Sequence, residues 1–173
     1  EIIEGVRSEC RDDFMLGVRI SSERFGILLS ESKALAEDLM TSGDIDFLDM
    51  SLWDCFKEPE EEEFKGKTLI QHFCELERGT TRLGVAGNLR TPQDVTKALE
   101  EGVDWIMLGR AAILHHDFPK LYEEDDQFVP SQIPVSVDYL TQEGLSPKFI
   151  EYMSNWGFVD GSVDRMKEAI KKA

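Results

Sequence analysis

Residues 83–88 read Leu-Gly-Val-Ala-Gly-Asn, and residues 105–110 read Trp-Ile-Met-Leu-Gly-Arg. Both are short apolar runs that end in a glycine followed by a polar residue. Between them, Thr91 and Pro92 begin an amphipathic stretch, where a threonine N-cap and a proline in the first turn indicate the start of a helix. The order strand, helix, strand is typical of a βα unit in a parallel sheet, so these runs predict an α/β fold.

The same alternation continues toward the N-terminus. Residues 15–21 and 45–51 are two further apolar runs, and amphipathic patterns predict helices over residues 32–41 and 68–78. Four consecutive βα units fit either an open doubly wound sheet or half of an eight-stranded barrel. The pattern alone does not choose between them.

Composition limits the function classes. With 19 basic and 35 acidic residues, the formal charge is −16, which disfavours binding to nucleic acid or to an anionic membrane. The three cysteines are widely spaced, fit neither a disulfide framework nor a zinc knuckle, and predict a reducing, cytoplasmic compartment without a metal centre. No apolar run is long enough to span a bilayer.

The two ends of the chain differ from this βα pattern. The sequence opens inside a helical pattern without an N-cap, so we expect it to be the later part of a longer protein. Beyond the acidic break at residues 123–126, helices are predicted over residues 136–143, 147–156 and 162–172.

The acidic run at residues 60–63 is expected to be solvated.

Two strand ends predict a phosphate site. Gly87 and Asn88 follow the third apolar run, and Gly109 and Arg110 follow the fourth. Glycines let backbone N–H groups approach phosphate oxygens, and an arginine binds two oxygens with its planar fork. The alternative is that the glycines only make tight turns and that Arg110 pairs with a carboxylate.

Arg19 lies in the middle of an otherwise apolar strand. A guanidinium stays charged, so a buried position requires an anionic or acceptor-rich partner. That partner is either a ligand at the sheet edge or Asp46 or Asp49 of the next strand.

Together these runs resemble the C-terminal half of the Old Yellow Enzyme family, the FMN-dependent NAD(P)H:acceptor oxidoreductases that include ene-reductases. The resemblance covers about residues 1–120 and is carried by residues 18–21, 47–51, 85–92, 106–111 and 117–119. It implies that residues 1–122 form the C-terminal half of a TIM (β/α)8 barrel, strands five to eight, and that residues 123–173 form a helical extension.

By this resemblance Arg19 contacts the flavin ring near N1 and the C2 carbonyl, and Gly87, Asn88, Gly109 and Arg110 hold the FMN phosphate. NADH or NADPH would be the reductant and an activated alkene the expected acceptor. The family's substrate-binding histidines and its tyrosine would precede Glu1, so no catalytic residue is expected in this chain and the chain alone is expected to be inactive. Trp53 could border the substrate.

Two other functions stay open. One is a flavin-free, phosphate-binding barrel enzyme, for which Asp49 is the credible base. The other is a non-catalytic half-barrel module. The expected partner is a missing N-terminal half-barrel or a second copy of the chain.

Overall fold

The computed structural model describes residues 1–164 and 166 and confirms a mixed α/β architecture. Four strands form one all-parallel sheet in the order β1-β2-β3-β4. The strands are β1 (Gly17–Ser21), β2 (Phe47–Ser51), β3 (Arg82–Ala86) and β4 (Trp105–Ile106). β1, β2 and β4 lie within the predicted apolar runs, and β3 begins one residue before its run, at Arg82. β4 is the shortest strand, and a helix begins soon after it at Arg110.

Helices follow each strand, as the βα pattern predicts. The helices are α1 (Ile2–Glu9), α2 (Leu29–Thr41), α3 (Leu69–Cys74), α4 (Pro92–Glu100), α5 (Arg110–Leu114), α6 (Phe118–Glu124), α7 (Val137–Gln142) and α8 (Pro147–Ser154), with a short 3-10 helix at Glu62–Phe64. Residues 162–164 are helical, and most of the helix predicted over residues 162–172 lies outside the described residues.

The sheet has one apolar face, because side chains alternate along each strand and neighbouring strands are in register. Leu48, Met50, Leu83 and Val85 point to this face and are at most 1% exposed. Their burial supplies most of the driving force that holds the helices on the sheet.

The opposite face carries Arg19, Phe47, Asp49 and Trp105. The rings of Phe47 and Trp105 meet edge to face with centroids 5.3 Å apart. Trp105 lies so close over Gly84 that a Cβ there would come within 2.1 Å of the indole. Glycine in β3 is therefore required by ring packing.

The chain divides into two compact units. The first contains residues 1–89 and 94–107, and so includes the whole sheet. The second contains Arg90–Gln93 and the chain from Leu108 onward, with a core of Leu114, Leu140, Ile150, Met153 and Phe158. Residues 108–122 thus group with the helices that follow them. The predicted division after residue 122 into a half-barrel and an extension stays a prediction.

Candidate functional site

The carboxyl ends of β1, β2 and β3 meet at one edge of the sheet, where Ser21, Ser51 and Ala86 are in register. Four non-glycine residues of the described chain have positive φ, and all lie in the loops that leave this edge. They are Arg24 (φ 83°), Phe25 (φ 56°), Trp53 (φ 62°) and Asn88 (φ 55°). Such strained conformations cluster at functional sites. Open parallel sheets also bind ligands at this end of their strands, so this edge is the candidate site of the first unit.

Arg19 is held at this edge by two neighbours on β2. It donates to Asp49 Oδ2 over 2.8 Å and to the Ser51 hydroxyl over 3.2 Å. The Asp49 partner considered from the sequence is therefore present, whereas Asp46 pairs with Arg7 over 2.7 Å. The Arg19 side chain is 49% exposed. Its remaining N–H groups have no partner among the described residues, so the guanidinium is fixed in place and can still donate to a ligand.

The Asp49 carboxylate is strongly desolvated, with a side chain only 6% exposed. Its Oδ1 atom is buried and accepts no hydrogen bond among the described residues. Burial raises the pKa of Asp49, and the charge and hydrogen bond of Arg19 offset this only in part. Asp49 thus pairs with Arg19 through one oxygen, while its other carboxylate oxygen is buried without a partner among the described residues.

Gly87 and Asn88 lie at the end of β3, against the loop that follows β2. The Gly87 carbonyl accepts from the Cys55 N–H over 3.2 Å, and a Cβ at Gly87 would come within 2.7 Å of that nitrogen. The Asn88 amide donates to Asp54 over 3.2 Å. The close approach of the Cys55 loop therefore explains why residue 87 is a glycine. Phosphate binding by Gly87 and Asn88 stays a prediction.

Cys55 contributes no nucleophile to this edge. The thiol is fully buried, and desolvation raises its pKa to about 12. At neutral pH it is therefore a protonated, apolar side chain.

Arg24, Phe25 and Trp53 form an exposed rim on the same edge. The Arg24 guanidinium lies 4.5 Å from the centroid of the Trp53 ring, and Phe25 is 90% exposed. Sequence reasoning considered Trp53 as a substrate contact but missed Arg24 and Phe25. Nothing in the residue types marks them, because their backbone conformation depends on the loops after β1 and β2, which the ion pair of buried Glu23 with Lys57 joins.

The second unit holds the other two predicted residues, Gly109 and Arg110. Gly109 caps the N-terminus of α5, and a Cβ there would meet no atom within 4 Å. Arg110 is exposed and makes no ion pair or hydrogen bond with any described residue. The sequence left open that Arg110 pairs with a carboxylate, but among the described residues it does not.

Arg110 shares a cavity of about 290 Å³ with Arg90, and Gln132, Ile133 and Phe158 also line it. Sequence reasoning missed Arg90, although a basic residue two positions after Asn88 could have been noticed. Two guanidinium groups in one cavity favour an anionic ligand.

Among the described residues, no helix is both long and apolar enough to cross a membrane. In comparisons with known proteins, no family model and no curated protein matches this chain.

Proposed function

We propose that this chain binds FMN as the C-terminal half of a (β/α)8 barrel in an NAD(P)H-dependent oxidoreductase of the Old Yellow Enzyme type. The sheet order supports the barrel. Its strands follow one another without a reversal, whereas doubly wound sheets reverse their order at a switch point. Sequential parallel strands with a helix after each are the arrangement that closes into a barrel.

The observation that carries the proposal is the uncommitted Arg110. In a chain with 35 acidic residues, an exposed arginine would ordinarily find a carboxylate, yet Arg110 has none among those the structure describes. Beside it lie the open space at Gly109 and the second guanidinium in the cavity, Arg90. These features suit the phosphate of FMN, which accepts several charge-assisted hydrogen bonds.

Arg19 supports the flavin ring in the same proposal. Asp49 and Ser51 fix two of its N–H groups, so the guanidinium is oriented before a ligand arrives. The free N–H groups suit the N1 and C2 carbonyl edge of an isoalloxazine. A fixed positive charge there stabilises the anionic reduced ring.

FMN would supply the redox chemistry, taking a hydride from NADH or NADPH and passing it to an acceptor such as an activated alkene. The residues of this chain bind and orient. In the second unit Arg110 and Arg90 would hold the phosphate, and in the first unit Arg19 is the residue that the resemblance assigns to the ring. Proton donation to the acceptor is assigned to none of them.

The test is FMN binding, measured by quenching of flavin fluorescence on titration with the chain. Loss of a charge-assisted contact is worth about 1.5–3 kcal/mol, so Arg110→Ala should weaken FMN binding by about 10-fold to 150-fold. Arg11→Ala is the matched control, because Arg11 is an exposed arginine that pairs only with Asp13. Equal affinities for the two variants, or no binding at about 1 mM FMN, would contradict the proposal.

A second candidate is a flavin-free enzyme acting on a phosphorylated substrate, with Asp49 as base. The raised pKa of Asp49 favours it, because a carboxylate of raised pKa is a better proton acceptor. Binding of inorganic phosphate that depends on Arg110, with no binding of FMN, would favour this candidate.

A further inference from the structure

We propose that His116, Asp117 and Glu143 form a binding site for a divalent transition metal such as Zn²⁺. The three side chains lie in the second unit and share no residue with the set assigned to FMN. The proposal does not depend on flavin binding.

The three residues already converge. Their candidate ligand atoms all lie within 4.8 Å of one another. His116 Nδ1 is 2.8 Å from Glu143 Oε2, and the His116 backbone N–H donates to the same oxygen over 3.0 Å. In a tetrahedral zinc site with bonds of about 2.0–2.1 Å, the ligand atoms are about 3.3 Å apart. Zinc binding would require these atoms to adjust from their present separations, 2.8 Å for His116 and Glu143 and up to 4.8 Å within the cluster, toward that spacing.

Two helix ends set this arrangement. Glu143 is the C-cap of α7, and Asp117 is the N-cap of α6 with His116 just before it. The backbone hydrogen bond from His116 to Glu143 ties the two ends together. The ligands are thus held by short, defined segments, as a specific metal site requires.

The Asp117 carboxylate is the informative member of the cluster. An aspartate at an N-cap usually accepts an N–H of the first turn, but Asp117 makes no such bond. Its carboxylate has no hydrogen bond or ion pair with any described residue. An ion pair of His116 with Glu143 alone would leave this half-buried carboxylate without a role, whereas a metal ion would use all three side chains.

The donor set selects the ion. One imidazole with two carboxylates suits zinc, whereas Ca²⁺ and Mg²⁺ prefer oxygen ligands alone. Three protein ligands leave at least one coordination position of the metal for water or another small ligand. Sequence reasoning expected no metal centre, because the cysteine spacing fits no zinc site and His115 and His116 were expected to have a capping or surface role.

The test is calorimetric titration of the full chain with Zn²⁺ at pH 7.5. We expect one zinc per chain, with a Kd in the micromolar range, and a loss of affinity of at least about 10-fold in His116→Gln, Asp117→Asn and Glu143→Gln. The matched control is Glu123→Gln, an exposed carboxylate of the acidic segment, which should leave the affinity unchanged.

Circular dichroism of each variant checks that the fold is intact, and His116 is 63% exposed, so its replacement should be tolerated. Two results would overturn the proposal. One is zinc binding that is unchanged in His116→Gln and Glu143→Gln. The other is no stoichiometric binding to the wild-type chain at about 1 mM Zn²⁺.

Discussion

At the scale of single residues, Asp49 has an unfavourable environment within the candidate site. Its buried Oδ1 atom has no hydrogen-bond partner among the described residues, and its only ion-pair partner, Arg19, is half-exposed. A residue that lowers stability in this way is often retained for binding or catalysis. The pKa of Asp46 changes in the opposite direction, because the Leu16 N–H and Arg7 lower it.

We expect Asp49→Asn to stabilise the fold at pH 7, by about 0.5–2 kcal/mol. Burial raises the pKa of Asp49 in the folded state, so ionisation costs folding free energy as the pH rises through that pKa. The amide carries no charge and avoids this cost. The gain should shrink as the pH falls through this raised pKa, because Asp49 then becomes protonated in the wild type. Urea unfolding at several pH values measures it, and equal stabilities at pH 7 would refute this account.

At the scale of elements, the sequence predicted the four strands and their order of helices, because apolar runs of β-branched residues and capping residues are local signals. It missed the start of α2, which begins at Leu29 rather than Ser32. The reason is not local. The cap of α2 comes from Glu61, whose carboxylate accepts the Leu29 N–H and the Ser30 hydroxyl from over 30 positions along the chain.

Glu61 belongs to the acidic run that the sequence predicted to be solvated. We expect Glu61→Ala to lower the free energy of unfolding by about 1 kcal/mol, because it removes the cap and a negative charge from the N-terminus of α2. Glu63→Ala is the control, since Glu63 is exposed. Chemical unfolding followed by circular dichroism compares the two, and an equal effect of both substitutions would show that Glu61 is no cap.

The residues of the candidate site were likewise predicted only in part from the sequence. Glycines and arginines at strand ends were visible in the sequence, but the loop residues Arg24 and Phe25 were not, because positive φ angles there depend on contacts between loops. The choice of Asp49 over Asp46 for Arg19 also needed the sheet register, since both aspartates flank β2. Long-range contacts therefore decide what local patterns leave open.

Ring packing in the sheet gives a second prediction at this scale. Gly84→Ala should destabilise the fold by about 1–3 kcal/mol, because its Cβ would lie 2.1 Å from the Trp105 ring and force it off β3. Gly5→Ala in α1 should instead be neutral or stabilising, because nothing lies within 4 Å of its Cβ position and alanine favours helix. Urea unfolding measures both, and near-ultraviolet circular dichroism reports the Trp105 environment. A neutral Gly84→Ala would contradict this packing.

At the scale of the whole chain, charge and exposed sheet surface act in opposite directions. The net charge of −16 repels a second copy, and this repulsion weakens as salt screens it. Strands β1 and β4 are the two edges of the sheet, and unpaired edges favour association. We therefore expect association to strengthen with ionic strength, the opposite of a contact held by ion pairs.

We expect this association to involve the sheet face that carries Phe47, Asp49 and Trp105. A groove of about 760 Å³ there is lined by Met15, Phe47, Arg82 and Trp105, among others, and Met15 is 70% exposed. Met15→Lys should shift the chain toward monomer, because association would bury the added charge, whereas Ile2→Lys on α1 should not, although Ile2 is 85% exposed. Light scattering over a concentration series in about 0.5 M salt, where the Debye length is only a few ångströms, measures the mass. A wild-type chain that stays monomeric there, or equal shifts in the two variants, would show that this face is not what brings copies together.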